Sequence, residues 1–153
     1  MFEKFGEFDS YEEINRAAKA QLEEGDLEAI RTIAEENGLD PEDAEDYCTG
    51  AIEELTTPCL AAIGKLELEA KDLKLEGALK DWTDSIKQSC MENEEMALAV
   101  RKKGKSLKDC MAMILKKAFG EKTQLDDRIT KAADLRPPLY ISIPGKAQIK
   151  EIV

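Results

Sequence analysis

Along most of the chain, apolar positions recur every three to four residues and polar punctuation separates the runs. That spacing belongs to helices with one buried face. Ile14, Ala17, Ala18 and Leu22 make the first stripe, opened by Ser10 with Glu13 and closed by Gly25. A Ser followed by Glu at this spacing is a capping box, in which each side chain satisfies a backbone N–H that the helix start leaves orphaned. The glycine suits the left-handed residue that follows a last helical turn. Asp26 opens a second stripe, Leu27, Ile30, Ile33 and Ala34, closed by Asn37-Gly38. Asp40-Pro41 opens a short third helix that ends near Thr49-Gly50. Glu42 and Asp43 fall in its first turn, where the helix dipole favours negative charge.

Thr57-Pro58 repeats the cap-plus-proline signal and predicts a helix carrying Leu60, Ile63 and Leu66. Gly64 weakens that helix, so a bend or break is expected within 64–76. Leu75, Leu79, Trp82 and Ile86 predict a further amphipathic helix with Trp82 as its aromatic anchor. Asn93 caps another, running through Met96, Leu98 and Val100 to Gly104. Ser106 opens the strongest C-terminal helix, whose apolar face holds Leu107, Cys110, Met111, Ile114, Leu115 and Phe119. A weaker helix is expected around Leu125–Ala133. Pro137-Pro138 stops it, Leu139–Ile143 is β-prone, and Pro144-Gly145 opens a last segment, Lys146–Val153. The pattern predicts a mostly α protein: a compact helical domain of about six to eight short helices with a short β-prone segment near the C-terminus. Residues 1–136 are expected to form an acidic helical domain and 137–153 a short C-terminal module.

Composition agrees with the pattern. Hydrophobic residues reach 42%, drawn mainly from Ala, Leu and Ile, while aromatics are only 5%. Unbranched side chains favour helix, and β-branched and aromatic ones favour strand. Charge changes the picture more. Net charge is −11, but residues 1–76 hold 22 acidic and 7 basic side chains, and residues 77–153 hold 11 and 15. The acidic half repels bare nucleic acid, which proteins bind largely by neutralising phosphates. It is attracted instead to a basic surface, such as the nucleic-acid channel of another protein.

Candidate chemistry is sparse. There is no His, and the four cysteines, Cys48, Cys59, Cys90 and Cys110, form no CxxC pair. A zinc site is therefore not expected, nor is any other metal or cofactor. Without His, acid–base catalysis at neutral pH would need a perturbed carboxylate, Cys or Lys, and no nucleophile motif is present. The expectation is a protein that is not an enzyme. Gly104-Lys105-Ser106 mimics the end of a phosphate-binding loop, but Ala99 stands where that motif needs its first glycine. No apolar run approaches membrane-spanning length and the N-terminus is charged from its third residue, so a cytoplasmic protein with reduced thiols is expected.

Two charged patches are left as candidate binding sites. The stretch from Glu23 to Glu54 holds 13 acidic residues and one basic residue, Arg31. Within it Glu42, Asp43, Glu45 and Asp46 share one short helix, where carboxylates can either mimic phosphates or simply form a solvated face. They lack the order of a calcium-binding EF-hand loop. The second patch is basic, Arg101, Lys102, Lys103, Lys105 and Lys108, continued by Lys116 and Lys117. It reads either as a contact for phosphate or an acidic partner, or as a solvated helix end complementing the dipole. It contains no interleaved aromatics of the kind that stack single strands.

Several segments together resemble a known family: FEKFGEFDSYEEINRAA at Phe2–Ala18, LDPEDAEDY at Leu39–Tyr47, TPCLAAIGKLELEAKDL at Thr57–Leu73, AVRKKGKSLKDCMAMILKKAF at Ala99–Phe119 and the ending PPLYISIPGKAQIKEIV. They resemble the PcfK-like small proteins of conjugative and mobile elements in Firmicutes, part of which are Cas9-inhibitor (anti-CRISPR) proteins. The link to inhibition rests mainly on KSLKDCMAMIL at Lys105–Leu115. The resemblance assigns no functional residues. It implies a bacterial cytoplasmic protein that binds a Cas9-type effector and blocks target-DNA binding or cleavage. Such effectors hold nucleic acid in positively charged channels, so acidic phosphate mimicry through Glu42, Asp43, Glu45 and Asp46 is the expected mode. Two rivals stand beside it. One is an accessory or regulatory protein-interaction module of a conjugative element, assembling with other proteins or as a homodimer through the apolar faces of 75–86 and 107–119. The other is a weak nucleic-acid binder acting through the basic C-terminal helix pair.

Overall fold

The structure is a computed structural model and describes residues 3–142 and 144. Ile143 and the expected last segment Lys146–Val153 lie outside the described residues. The fold is mostly α, with eight helices and one two-stranded sheet among the described residues. The chain divides into two compact units, Met1–Leu107 and Lys108–Val153.

The first unit holds α1 (Tyr11–Glu24), α2 (Leu27–Glu36), α3 (Pro41–Thr49), α4 (Pro58–Asp72), α5 (Ala78–Glu92) and α6 (Glu94–Arg101). The polar punctuation does its predicted work at four starts. Asp26, Asp40, Thr57 and Asn93 each accept a hydrogen bond from a first-turn N–H, those of Ala29, Glu42, Leu60 and Met96. Gly25 and Gly50 close α1 and α3 in the left-handed region, with φ of 75° and 79°. The capping box at Ser10 differs from expectation. Ser10 makes no side-chain cap bond, and the Glu13 carboxylate accepts from the Asp9 N–H, 2.9 Å away. The Ser10 hydroxyl turns to Glu12 and holds that carboxyl below its usual range.

Helices α1, α2 and α3 pack in sequence order, and α4 packs on α5 and α6. Ile14, Ala18, Ile30, Ile33, Ala34, Ala44 and Tyr47 form one core with Leu39, Leu55 and Ala61. Each fully buried Ile in it stabilises the fold by about 2 kcal/mol relative to an exposed one. Trp82, with Ile86 and Cys90 on the same helix, is buried as its spacing predicted.

The helix does not break at Gly64 itself: α4 runs through it to Asp72, and the interruption expected within 64–76 falls after Asp72, before α5 begins at Ala78. Gly64 is there because two backbones cross. A Cβ on Gly64 would lie 2.3 Å from the Asn37 carbonyl oxygen, and one on Gly38 would lie 2.4 Å from the Gly64 oxygen. Only two glycines let the end of α2 come this close to the middle of α4, and this crossing sets α3 beside α4.

The second unit holds most of α7 (Leu107–Gly120), β1 (Thr123–Gln124), α8 (Asp127–Ala132) and β2 (Tyr140–Ile141). Met111, Ile114 and Ala118 are the buried face of α7, while Leu115 and Phe119, expected on that face, are exposed. The strands pair antiparallel with Thr123 opposite Ile141 and Gln124 opposite Tyr140. Strand β2 falls in the stretch read as β-prone. Strand β1 was not foreseen, since two residues carry no period.

Candidate functional site

Helix α3 presents the four carboxylates singled out in the sequence. Ala44 and Tyr47 are buried and fix its inner face. At about 100° per residue, Glu42 then points directly outward, Glu45 and Asp46 flank it on either side, and Asp43 lies furthest round towards the buried face. Glu42, Glu45 and Asp46 are exposed and Asp43 is half-buried.

The four do not act as one face. Glu45 turns to α2, where its carboxylate accepts from Arg31 Nε at 2.5 Å and Nη2 at 3.2 Å. Arg31 also donates to Glu28 at 3.3 Å. The Arg31 hydrogen bonds hold the Glu45 carboxyl below its usual range, and the two carboxylates raise the Arg31 pKa. The one cation of the acidic stretch is thus shared between two of its carboxylates. Glu42, Asp43 and Asp46 carry no hydrogen-bonded or ion-paired side chain among the described residues. Further carboxylates lie close by: Glu23 and Glu54 add to burial and Cys48 in pushing the Tyr47 hydroxyl up.

Asp43 faces a groove that sequence reasoning missed. The turn into α3 forms one wall and α4 the other, enclosing a volume of about 340 Å³. Its lining includes the apolar Leu39, Pro41, Leu60 and Ile63, with Asp43 contributed by α3 and Glu67 by α4. Leu60 is 43% exposed. Glu67 has one oxygen 3.3 Å from Lys87 Nζ, and Asp40, also on the wall, spends an oxygen on the Glu42 N–H. The groove exists because Gly38 and Gly64 cross beneath it, and that glycine pair was its only signal in the sequence.

The basic run is broken up. Arg101 is 1% exposed and cannot belong to a surface patch. It donates to the Phe8 carbonyl at 3.2 Å and to Asn37 Oδ1 at 2.9 Å, and its Nε finds no partner. Burial lowers its pKa against the opposing pull of Glu7, Glu69 and Glu13. Lys65, 3% exposed on α4, joins the same polar centre through Glu7 at 3.1 Å and the Lys102 carbonyl at 2.9 Å. Glu69 accepts from the Leu107 N–H at 2.6 Å, and burial raises its pKa. Glu36, at the end of α2, accepts from the successive N–H groups of Glu3, Lys4 and Phe5. These buried charges tie the segment before α1 to α2, α4 and α6. Lys102, Lys103 and Lys105 stay exposed, Lys103 with a loose 3.8 Å pair to Asp9, and Lys108 is exposed in the second unit.

Arg101 was legible in principle. It follows Ala97 by four residues, which puts it on the inner face of α6, and Lys65 likewise sits inside the apolar run of α4. In the second unit, the exposed Phe119 and Tyr140 rings flank Lys122, whose Nζ lies 4.4 and 5.2 Å from their centroids.

Among the described residues no group of three or more Cys, Asp or Glu side chains is placed to hold a metal ion, and all four cysteines are free. Burial pushes the Cys90 thiol up to about 11. No described helix is long and apolar enough to cross a membrane. Neither the protein-family models, nor the curated proteins, nor the solved structures contain a match to this chain.

Proposed function

We propose that this chain is a protein-binding module that sets the outer face of α3 against a basic surface, and that its partner is a Cas9-type effector whose use of target DNA it blocks. The observation that carries the reading is the state of α3. Three of its carboxylates, Glu42, Asp43 and Asp46, are left without a cation on a helix that Ala44 and Tyr47 anchor firmly in the core. Unpaired carboxylates on a rigid element offer charge at fixed spacing, as a phosphate backbone does. They would raise encounter rate and specificity, while affinity would come from a few buried anchors. The choice of effector comes from the resemblance to PcfK-like proteins and from the positively charged channels of such effectors.

The structure sharpens the variant to use. Glu45 is better left in place, since reversing it would also release Arg31. Purified Cas9 with guide and target is assayed for cleavage with and without the chain, and with Glu42→Lys, Asp43→Lys and Asp46→Lys combined. Inhibition by the parent chain that is lost in the triple variant at low salt is the expected result. Inhibition that survives the triple variant rules out the phosphate-mimic mode. No inhibition by the parent chain rules out the effector.

The two surfaces of the first rival differ in exposure. Of the 75–86 face, Trp82 and Ile86 are buried and Leu75 and Leu79 half-buried, so the exposed Leu115 and Phe119 of α7 offer the more accessible apolar surface for self-assembly. Light scattering on the Phe119→Ser variant reads that alternative directly.

A further inference from the structure

We infer that the groove between the turn into α3 and helix α4 is a receptor for a single arginine side chain of a protein partner. This rests on the reading of α3 as a partner-binding face and supplies its anchor point. Shape and charge together choose the occupant. Leu39, Leu60 and Ile63 give the groove an apolar lining, and its volume of about 340 Å³ accommodates an aliphatic stem. Asp43 of α3 and Glu67 of α4 line the same groove, so a cationic head can be met by a carboxylate from each of the two elements. Asp43 has no partner among the described residues, and the Lys87 contact leaves the second oxygen of Glu67 free to accept. An apolar residue would leave Asp43 beside a desolvated surface with no compensation, and Glu67 with only its Lys87 contact. A lysine carries one compact and strongly hydrated charge, whereas a guanidinium is flat, sheds water more readily and presents five donors in a fork. The fork can serve carboxylates from both elements at once. A groove closed beneath by two crossing backbones is also rigid, so little ordering cost is incurred on binding.

The test uses the whole chain and small probes: N-acetyl-arginine methylamide, the lysine and norleucine equivalents, and methyl-resolved NMR of Leu39, Leu60 and Ile63. Arginine is expected to shift these methyls saturably, with a dissociation constant on the order of millimolar, as suits one side chain. Lysine should bind several-fold more weakly, and norleucine should leave the methyls unmoved. The Asp43→Asn, Glu67→Gln double variant, its fold checked by the dispersion of the same spectrum, should lose the arginine response. Equal responses to arginine and norleucine, or none to any probe, would overturn the proposal. So would shifts that follow the chain's own concentration without a probe, which would make a second copy the occupant.

A cleavage assay with Leu60→Ser separates this proposal from the functional one. If arginine binds but the parent chain does not inhibit the effector, the groove stands and the choice of partner falls. If the parent inhibits and the triple lysine variant does not, while no probe binds, the acidic face stands and the arginine receptor falls.

Discussion

On α3, Glu42 and Asp46 stand clear of every partner among the described residues, whereas Arg101, at the head of the basic run, is 1% exposed and holds the Phe8 carbonyl and Asn37. Both regions look alike when charges are counted along the chain. What separates them is their place relative to the apolar stripe. Glu42 and Asp46 lie opposite Ala44 and Tyr47, so solvent or a partner must satisfy them. Arg101 lies on the same side of α6 as Ala97, so the protein must satisfy it. The head of the basic run is therefore structural, while its exposed lysines and the outer carboxylates of α3 are left to solvent or a partner.

The largest test of that contrast is Arg101→Ala. It leaves the Phe8 carbonyl and Asn37 Oδ1 without their donor, and leaves Lys65 as the remaining cation beside Glu7 and Glu69. Removing one member of a buried charged network costs about 3–5 kcal/mol, which for a chain of this size lowers Tm by roughly 10 °C. The combined Lys102→Ala, Lys103→Ala and Lys105→Ala variant should move Tm by no more than about 2 °C. Thermal unfolding followed by circular dichroism compares the two. Equal losses would mean that the whole run is structural, and no loss in Arg101→Ala would return that residue to the surface patch.

Next in size is Gly64→Ala. Its new Cβ would sit 2.3 Å from the Asn37 oxygen, between two backbones that cannot yield like a side chain. Overpacking of this kind costs about 1–3 kcal/mol, read as a lower urea midpoint at unchanged slope. Prying α2 from α4 should also open the groove beside Asp43, so the arginine response of the Leu60 methyls should weaken with stability. A variant as stable as the parent would mean that the crossing is looser than it stands here.

These two residues show where the sequence was legible and where it was not. Helix starts were readable because a cap is a local event: Asp26, Asp40, Thr57 and Asn93 each bond within three residues. The Ser10 box misled because Glu12 competes for the hydroxyl. Gly64 was read as a weak point in its own helix, since the partner that requires it lies 26 residues earlier at Gly38. The inward side of Arg101 was readable from Ala97 four residues before it, but its acceptors, 93 and 64 residues away, were not. The carboxylates of α3 were found as a group, but their division between Arg31, the groove and solvent depends on neighbours from α2 and α4.

A smaller effect is expected at Glu69, a carboxylate that burial has drawn into the scaffold. Its pKa is raised from 4.5 in the folded chain, so the folded state binds more protons there than the unfolded state. Its contribution therefore favours folding at low pH and declines as pH climbs through 4.5 towards the raised value. Glu69→Gln removes that slope, so the variant should gain on the parent between pH 4 and pH 7. Urea midpoints at several pH values check this, and parallel profiles for the two proteins would show that Glu69 titrates as an exposed group does.

The smallest stability effect, and the one that matters most to function, belongs to α3. Glu42→Gln, Asp43→Asn and Asp46→Asn together should change Tm by less than about 2 °C. At low salt its sign reads which of two effects is larger: the favourable first-turn dipole interaction of Glu42 and Asp43, which the variant loses, or the like-charge repulsion, which it relieves. The stretch from Glu23 to Glu54 sets 13 carboxylates against one arginine, and two of its carboxylates already share that arginine. Removing three uncompensated charges relieves repulsion that salt otherwise screens within about 8 Å. Either change should therefore fade as ionic strength rises to physiological values. A fall of more than about 5 °C in this variant would show that the carboxylates hold the fold together as Arg101 does. Loss of partner binding would then no longer distinguish a damaged surface from a damaged protein. A stable variant that no longer binds locates the interface on α3, because these side chains make no described contact within the molecule for the substitution to break.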